Sequence, residues 1–154
     1  MPAVTPRRST PPTAALLAVL ALAVAACSVV PVIGERSWSA GTTNQLGQTE
    51  TVTVTDTSGL VREVAFDPAD ADVFGGPVTA APGVENALDI TWTAAACDVL
   101  TDVDVAKSGV GLAVTVTTTM DAAGCDAFGV PRAVRLLLVQ PIGPAAVTVT
   151  QATE

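Results

Sequence analysis

Apolar and polar residues alternate along much of the chain after residue 50. In Thr51–Thr55 threonine alternates with valine at every position, which places the valines on one face of a β-strand and the threonines on the other. Leu88, Ile90 and Trp92 repeat this period of two. The pattern predicts half-buried strands and makes Trp92 the large central residue of a hydrophobic core.

Glycine, proline and aspartate interrupt the apolar runs and predict the turns between strands. Asp56–Gly59 predicts a turn that joins the first strand to the second in a hairpin. The breakers between Asp67 and Glu85 leave room only for short strands or a single helical turn. Leu136–Val139 is apolar on both faces, which is typical of a central, buried strand. The predicted strands after the first are Leu60–Phe66, Leu88–Thr93, Val99–Val105, Val110–Thr118, Ala133–Gln140 and Ala146–Thr150.

Short strands with almost no helical periodicity predict an all-β fold, an antiparallel β-sandwich formed by residues 50–154. The expected architecture is immunoglobulin-like. The sequence departs from antibody domains because Trp92 precedes Cys97 and does not lie between Cys97 and Cys125. A chain of 154 residues suits one such domain after a processed leader.

The first 26 residues have the three parts of a secretory signal. Met1–Pro12 is polar and its two arginines give it only positive charge, Ala14–Val24 is an uncharged apolar run, and small residues follow. The end of the signal, Val24-Ala25-Ala26-Cys27, resembles the lipobox of bacterial lipoproteins. In that family a signal peptidase cuts before the cysteine.

The lipobox resemblance implies that Cys27 receives a diacylglyceryl group and that acyl chains such as palmitate hold the new N-terminus in the membrane. Each buried methylene contributes about 0.8 kcal/mol, so two or three chains anchor firmly. The predicted divisions are a signal peptide over 1–26, a lipidated N-terminus and flexible tether over 27–49, and the sandwich over 50–154. Glu35–Gln48 supports the tether because it is rich in small polar residues. The predicted location is the extracytoplasmic face of the cell membrane.

Two alternatives stay open for this leader. Residues 13–34 contain no charge and could cross a bilayer as an uncleaved helix, although Pro31 would remove a helical hydrogen bond there. Ordinary secretion with cleavage and no lipid is the other alternative. The pair Arg7-Arg8 invites a twin-arginine interpretation, but Ser9–Pro11 follows where that signal has hydrophobic residues. The general secretory pathway is therefore favoured.

Three cysteines would leave an odd thiol in an oxidising compartment. If Cys27 carries lipid, Cys97 and Cys125 remain as a pair outside the membrane and are predicted to form a disulfide. That bridge would close a loop of about 29 residues and stabilise the fold by about 3–4 kcal/mol. No Cys-x-x-Cys spacing or neighbouring histidine indicates a redox-active pair, so a structural role is predicted.

The domain also resembles small uncharacterised lipoproteins of actinobacteria. The likeness rests on Thr91–Asp98, on Cys125 followed by Gly129–Arg132, and on Gln140–Gly143, and it covers roughly residues 87–150. These motifs are a disulfide and turns. The resemblance therefore implies an envelope location and the fold, and it implies no activity.

The residue types that most enzyme chemistry needs are missing. The chain has no histidine, which excludes Ser-His-Asp and Cys-His catalysis and histidine-ligated zinc. Aromatic residues make up 3 %, without tyrosine, so the platforms of a glycosidase cleft are absent. Neither an enzymatic activity nor a cofactor is expected. Beyond residue 26 there are five basic against fifteen acidic residues, which argues against nucleic-acid binding.

Two acidic clusters offer the oxygen ligands that calcium prefers. Their spacing fits no EF-hand loop, and roles as turn residues or as a solvated strand face explain them equally well. No metal site is predicted. The clusters are Asp67, Asp70 and Asp72, and Asp98, Asp102 and Asp104.

Two functions fit these features. The first is a membrane-anchored extracytoplasmic lipoprotein that acts as a binding or structural module of the cell envelope. It would contact an envelope protein or polysaccharide through Gly75–Glu85 or Asp121–Pro131. The alternative is a small-ligand or ion-binding lipoprotein that serves a transporter or sensor. An internal pocket would favour the alternative, whereas a surface binder needs none.

Overall fold

The computed structural model describes residues 36–43, 49–66, 71–120 and 128–154. These residues form nine β-strands in two sheets and one 3₁₀ turn at Pro144–Ala146. The strands are β1 Arg36–Thr43, β2 Thr49–Asp56, β3 Val61–Ala65, β4 Val78–Ala80, β5 Ala87–Ala95, β6 Asp98–Ser108, β7 Gly111–Met120, β8 Gly129–Leu138 and β9 Val147–Thr153.

The five-stranded sheet has the order β1-β2-β6-β7-β9, and the four-stranded sheet has the order β3-β8-β5-β4. The predicted all-β sandwich is confirmed. Two of its pairings, β2 with β6 and β7 with β9, are parallel, whereas the sequence predicted an antiparallel sandwich. Parallel pairs arise because the chain visits the four-stranded sheet between these strands. Two packed sheets are common to sandwiches of several topologies, so the finer immunoglobulin-like description is not established.

The core lies between the inner faces of the two sheets. As the alternation predicted, Val52 and Val54 of β2 and Leu112 of β7 are buried completely. Trp92 is only 6 % exposed and belongs to the same hydrophobic cluster, which confirms its predicted place in the core. The other large members are Leu88, Ile90, Leu100, Val103, Val105, Val114, Val116, Val134, Leu136 and Leu138.

The predicted hairpin between the first two strands is wrong, because β2 and β3 lie in opposite sheets. The chain crosses at Asp56–Leu60, where the buried Asp56 carboxylate accepts hydrogen bonds from the backbone N–H and the hydroxyl of Ser58. Leu60 N–H in turn donates to the Ser58 hydroxyl. Turn residues of this kind stabilise any tight change in chain direction, so they do not distinguish a hairpin from a crossing between sheets.

Part of the predicted flexible tether is a strand. β1 pairs with β2 in antiparallel register from Arg36 opposite Asp56 onward. Trp38 is half-buried and packs against the hydrophobic cluster, and Ala40 is also half-buried, while Ser37 and Ser39 are exposed. This short alternation was hidden by the polar composition of the segment. The sheet therefore begins at Arg36, fourteen residues before the predicted domain boundary of 50.

The predicted lipid attachment at Cys27 and the alternative membrane helix over 13–34 lie outside the described residues. Among the described ranges there is no helix long and apolar enough to span a membrane.

Candidate functional site

β5, with nine residues, lies beside the three-residue edge strand β4 in the four-stranded sheet. It pairs with β8 along its full length, from Ala87 to Ala95. On its other side β4 pairs only with Leu88–Ile90. The half of β5 beyond Ile90 therefore has a strand neighbour on one side only among the described residues.

The backbone groups of this open half can be assigned a direction. Antiparallel neighbours exchange hydrogen bonds at alternate residues. Asn86 accepts a hydrogen bond from Leu138 N–H, so even-numbered residues direct their backbone groups toward β8 and odd-numbered residues toward β4. Thr91 N–H confirms this alternation because it donates to the Pro77 carbonyl at 2.9 Å.

Pro77 is the residue that ends this pairing. Proline has no N–H, so Pro77 cannot return a hydrogen bond to the carbonyl of Thr91. The next odd-numbered residue, Thr93, has neither a β4 residue nor another described backbone group opposite it. The N–H and the carbonyl of Thr93 thus lie at an open sheet edge in the described part of the chain.

A groove with a cavity volume of about 300 Å³ lies along this edge. β5 forms its floor, and Gln151 reaches it from β9 in the other sheet. Every side chain in its wall is uncharged. The lining residues are Thr91, Trp92 and Thr93 of β5, Pro131 of β8, Gln151 of β9, and Val73, Gly76 and Pro77 before β4.

Arg132 supports the groove from inside the sandwich. It lies opposite Trp92 in the register of β5 and β8. Its Nη1 donates to Glu50 Oε1 of the five-stranded sheet at 2.8 Å, and its Nη2 donates to the carbonyl of Asp98 at 2.6 Å. The two side chains are only 11 % and 1 % exposed. Arg132 therefore ties both sheets to the turn between β5 and β6.

Polar atoms without a partner are concentrated around this ion pair. Four buried atoms have no hydrogen-bond partner among the described residues: Glu50 Oε2, Asp98 Oδ1, Arg132 Nε and the indole Nε1 of Trp92. This end of the core therefore contains polar groups, unlike the aliphatic remainder.

A second ion pair supports the same strands. Arg135 of β8 binds Asp89 of β5 through two hydrogen bonds, Nε to Oδ1 at 2.7 Å and Nη2 to Oδ2 at 2.9 Å. Asp89 and Thr91 alternate with the apolar residues of β5, yet both are buried. Thr91 also donates from its hydroxyl to the carbonyl of Gly76 at 2.7 Å, which fixes the groove wall.

Among the described residues that line the groove there is no acid, base or cysteine suited to proton transfer or nucleophilic attack. Its polar side chains are the hydroxyls of Thr91 and Thr93 and the amide of Gln151. Neutral hydrogen-bonding groups of this kind are suited to recognition. The geometry therefore favours an uncharged ligand that can pair with a backbone edge.

The cysteines and loops to which the sequence assigned roles lie only partly in the described residues. Cys97 lies half-buried in the turn between β5 and β6 and is disulfide-bonded. Cys27 and Cys125 are outside the described residues, so the pairing of Cys97 with Cys125 stays a prediction. Of the two loops predicted to make contacts, Gly75–Glu85 contributes Gly76 and Pro77 to the groove, and the other is described only from Phe128.

Asp67 and Asp70 of the first acidic cluster lie outside the described residues, whereas Asp72 and the whole second cluster lie in the part of the chain that is described. No group of three or more potential metal ligands occurs there. Asp98 is a turn residue, because its Oδ2 accepts from Ala95 N–H at 2.8 Å. Burial raises the pKa of Asp102, and the negative charges of Asp104 and Glu154 add to this, although the Val103 N–H opposes it.

Sequence reasoning missed the groove, yet part of its signal was present. Gly75-Gly76-Pro77 was identified as a strand breaker. A breaker that shortens one strand beside a long alternating run predicts an unpaired edge on the longer strand. The contribution of Gln151 had no local signal because it depends on how the sheets pack.

No protein-family model, curated protein or solved structure matches this chain. The fold, the groove and the sequence of the leader are therefore the basis on which a function is proposed.

Proposed function

We propose that this protein is a lipid-anchored, extracytoplasmic binding module of the cell envelope. The leader supports the anchor, since Val24-Ala25-Ala26-Cys27 follows an apolar run as a lipobox does. The acidic composition beyond residue 26 suits a partner other than nucleic acid. An envelope location also fits the likeness to small actinobacterial lipoproteins.

The observation that carries the binding role is the uncharged groove of about 300 Å³ along the open half of β5. The inner faces of the sheets are filled by aliphatic side chains and Trp92, so binding at the surface needs no internal cavity. The two ion pairs beside the groove hold β5 and β8 in place. A recognition surface on rigid strands loses little entropy on binding.

The proposal includes a disulfide between Cys97 and Cys125. With Cys27 lipidated, Cys125 is the partner that remains for the disulfide-bonded Cys97. Tryptic mapping without reduction is expected to recover one linked peptide containing both residues. A linked peptide containing Cys27 would instead contradict both the bridge and the lipid anchor.

The anchor is tested by cell fractionation with labelled fatty acid. The wild-type protein is expected in the membrane fraction with incorporated label, and Cys27→Ala is expected to lose the label and to appear outside that fraction. Ser28→Ala is the matched control and should behave as wild type. Membrane retention of Cys27→Ala without label would support the uncleaved helix over 13–34 instead.

A small neutral ligand, delivered to a transporter or sensor, is the second candidate. The groove has a volume of about 300 Å³, which is the lower end of the range for small-ligand pockets, and this favours the second candidate. A partner polypeptide and a small molecule differ in what they bury, since only the polypeptide can extend the sheet. This difference separates the two candidates experimentally.

A further inference from the structure

We infer that one end of the sandwich rests on the bilayer and contacts anionic phospholipid head groups. This anchor-side end comprises the start of β1, the crossing at Asp56–Leu60, the β4–β5 and β6–β7 turns and the segment Val139–Ala146. Its exposed large apolar residues are Val84, Val110 and Val139. The inference rests on the proposed lipid anchor and adds to it the class of lipid and the orientation of the domain.

Strand pairing shows where the chain from the anchor enters the five-stranded sheet. Arg36 lies opposite Asp56 of β2, and Asp56 lies beside Val105 near the end of β6. β1 runs antiparallel to β2, so residues before Arg36 approach from the side of the β6–β7 turn. That turn contains Val110, which is 95 % exposed.

The four-stranded sheet reaches the same end through the crossing between β2 and β3. Thr57 N–H donates to the Val105 carbonyl, and Val139 N–H donates to the Leu60 carbonyl. The turn between β4 and β5 also lies here, because the start of β5 pairs with the end of β8. This turn contains Val84, so exposed valines of both sheets belong to one end of the molecule.

The linker between the anchor and this end is short. Eight residues separate Cys27 from Arg36, whereas the sequence predicted a tether as far as residue 49. An extended linker of this length reaches at most about 30 Å. To bring the opposite end to the bilayer, it would have to run back from the level of Val105 to Asp98, roughly 23 Å. That return would use most of its length, so the anchor-side end lies nearest the membrane.

The exposed basic residues lie at the anchor-side end, although the chain beyond residue 26 is acidic overall. Arg132 and Arg135 are held in ion pairs between strands. Arg36, Arg62 and Lys107 are exposed and take part in no ion pair within the described residues. They lie at the start of β1, near the start of β3 and near the end of β6. All three are therefore close to the bilayer.

Acidic residues are distributed differently. The anchor-side end has two exposed acidic residues, Glu63 and Glu85, against its three basic ones. The opposite end, which comprises the β5–β6 turn and the ends of β7 and β9, contains Asp98 and Glu154. No described basic residue is exposed there. An anionic surface therefore attracts the anchor-side end and repels the opposite one.

Exposed valines with basic residues around them fit the interface of an anionic bilayer. Membrane-surface binding combines burial of apolar side chains with attraction of basic residues to anionic lipids. Each basic residue near such a surface favours contact by about fivefold. The segment Val139–Ala146 and the turn at Gly109–Gly111 contain no charged residue that would oppose this contact.

This orientation leaves the groove open to a partner. Thr93 and Pro131 of its lining pair with each other two residues before the end of β5, which lies at the opposite end. The groove therefore faces away from the bilayer, as a binding module of the envelope requires.

The test uses the full-length protein, purified from the membrane fraction and reconstituted in vesicles of phosphatidylcholine and phosphatidylglycerol in equal amounts. A photoreactive benzoylphenylalanine replaces Val110 or Val139 at the anchor-side end, or Met120 or Phe128 at the opposite end. Val139 and Met120 are a matched pair, because both are 57 % exposed. Photo-crosslinking to a tagged phospholipid is expected to be at least fivefold higher at the anchor-side positions.

Charge variants separate head-group contact from proximity alone. Arg36→Gln/Arg62→Gln/Lys107→Gln should lower the crosslinking at the anchor-side positions at least twofold, and so should vesicles of phosphatidylcholine alone. Glu63→Gln/Glu85→Gln changes the charge of the same end in the other direction and should not lower it. Urea midpoints establish that each variant is folded.

Equal yields at the two ends, or a higher yield at the opposite end, would overturn the inference. So would a triple variant that crosslinks as well as the wild type, or native membranes in which position 110 captures protein and no lipid. Protein that is absent from the membrane fraction would contradict the anchor instead, and fractionation detects this before reconstitution. Failure of the orientation and failure of the anchor are therefore distinguishable.

Discussion

Removing the guanidinium of Arg132 should destabilise the domain strongly. Arg132→Met keeps much of the side-chain volume but deletes the 2.8 Å bond to Glu50 and the 2.6 Å bond to the Asp98 carbonyl. It leaves the Glu50 carboxylate, 1 % exposed, without a counter-charge. Breaking a buried ion pair from one side costs about 3–5 kcal/mol.

This loss is large against the total stability of a small domain, which is about 5–15 kcal/mol. With a urea slope of about 2 kcal/mol per molar, the unfolding midpoint should fall by about 2 M. Tryptophan fluorescence can follow the transition because Trp92 is buried beside the pair and Trp38 packs on the same cluster. Arg62→Met, at an exposed arginine of β3, is the matched control and should change stability by less than about 0.5 kcal/mol.

The double variant Glu50→Gln/Arg132→Met separates the unpaired charge from the lost hydrogen bonds. It should recover part of the loss, since it no longer buries a carboxylate that lacks a partner. Equal midpoints for Arg132→Met and Arg62→Met would refute the role assigned to this pair. So would a double variant whose loss equals the sum of the two single losses.

Two further substitutions test local features. Because burial and neighbouring carboxylates raise the pKa of Asp102, the fold favours its protonated form, and the stability it contributes at low pH is lost as pH rises through that pKa. Asp102→Asn should therefore stabilise the domain at pH 7, and the gain should shrink as pH falls through the raised pKa of Asp102 and vanish below the ordinary pKa of aspartate; a gain independent of pH would contradict this. Gly111→Ala should destabilise by about 1–3 kcal/mol, because a Cβ there would overlap the carbonyl oxygen of Ala146, while Gly143→Ala meets open space and should be neutral in thermal melts.

The strands of the core were predictable because period two has a direct physical cause. Leu112, Val114 and Val116 alternate with alanine and threonine, and each is buried as expected. The β6–β7 hairpin was also predictable, since Gly109 provides the positive φ of +59° that its turn needs. Local sequence therefore identified elements and their buried faces.

Sheet assignment and the interior polar groups were not predictable from local patterns. Nothing near Asp56 indicates that the next strand belongs to the other sheet, because both outcomes need the same turn chemistry. Arg132 and Glu50 are 82 positions apart, so only the packing of the sheets makes them partners. The same holds for Gln151 in the groove, which the sequence placed beyond the last predicted strand.

The intact mass of the protein extracted from the membrane fraction tests the central claim most directly. A lipid-anchored module should have the mass of residues 27–154 plus a diacylglyceryl group, with or without a further acyl chain, and alkaline hydrolysis should remove the ester-linked chains. A mass equal to residues 1–154, or to residues 27–154 without lipid, would contradict the account.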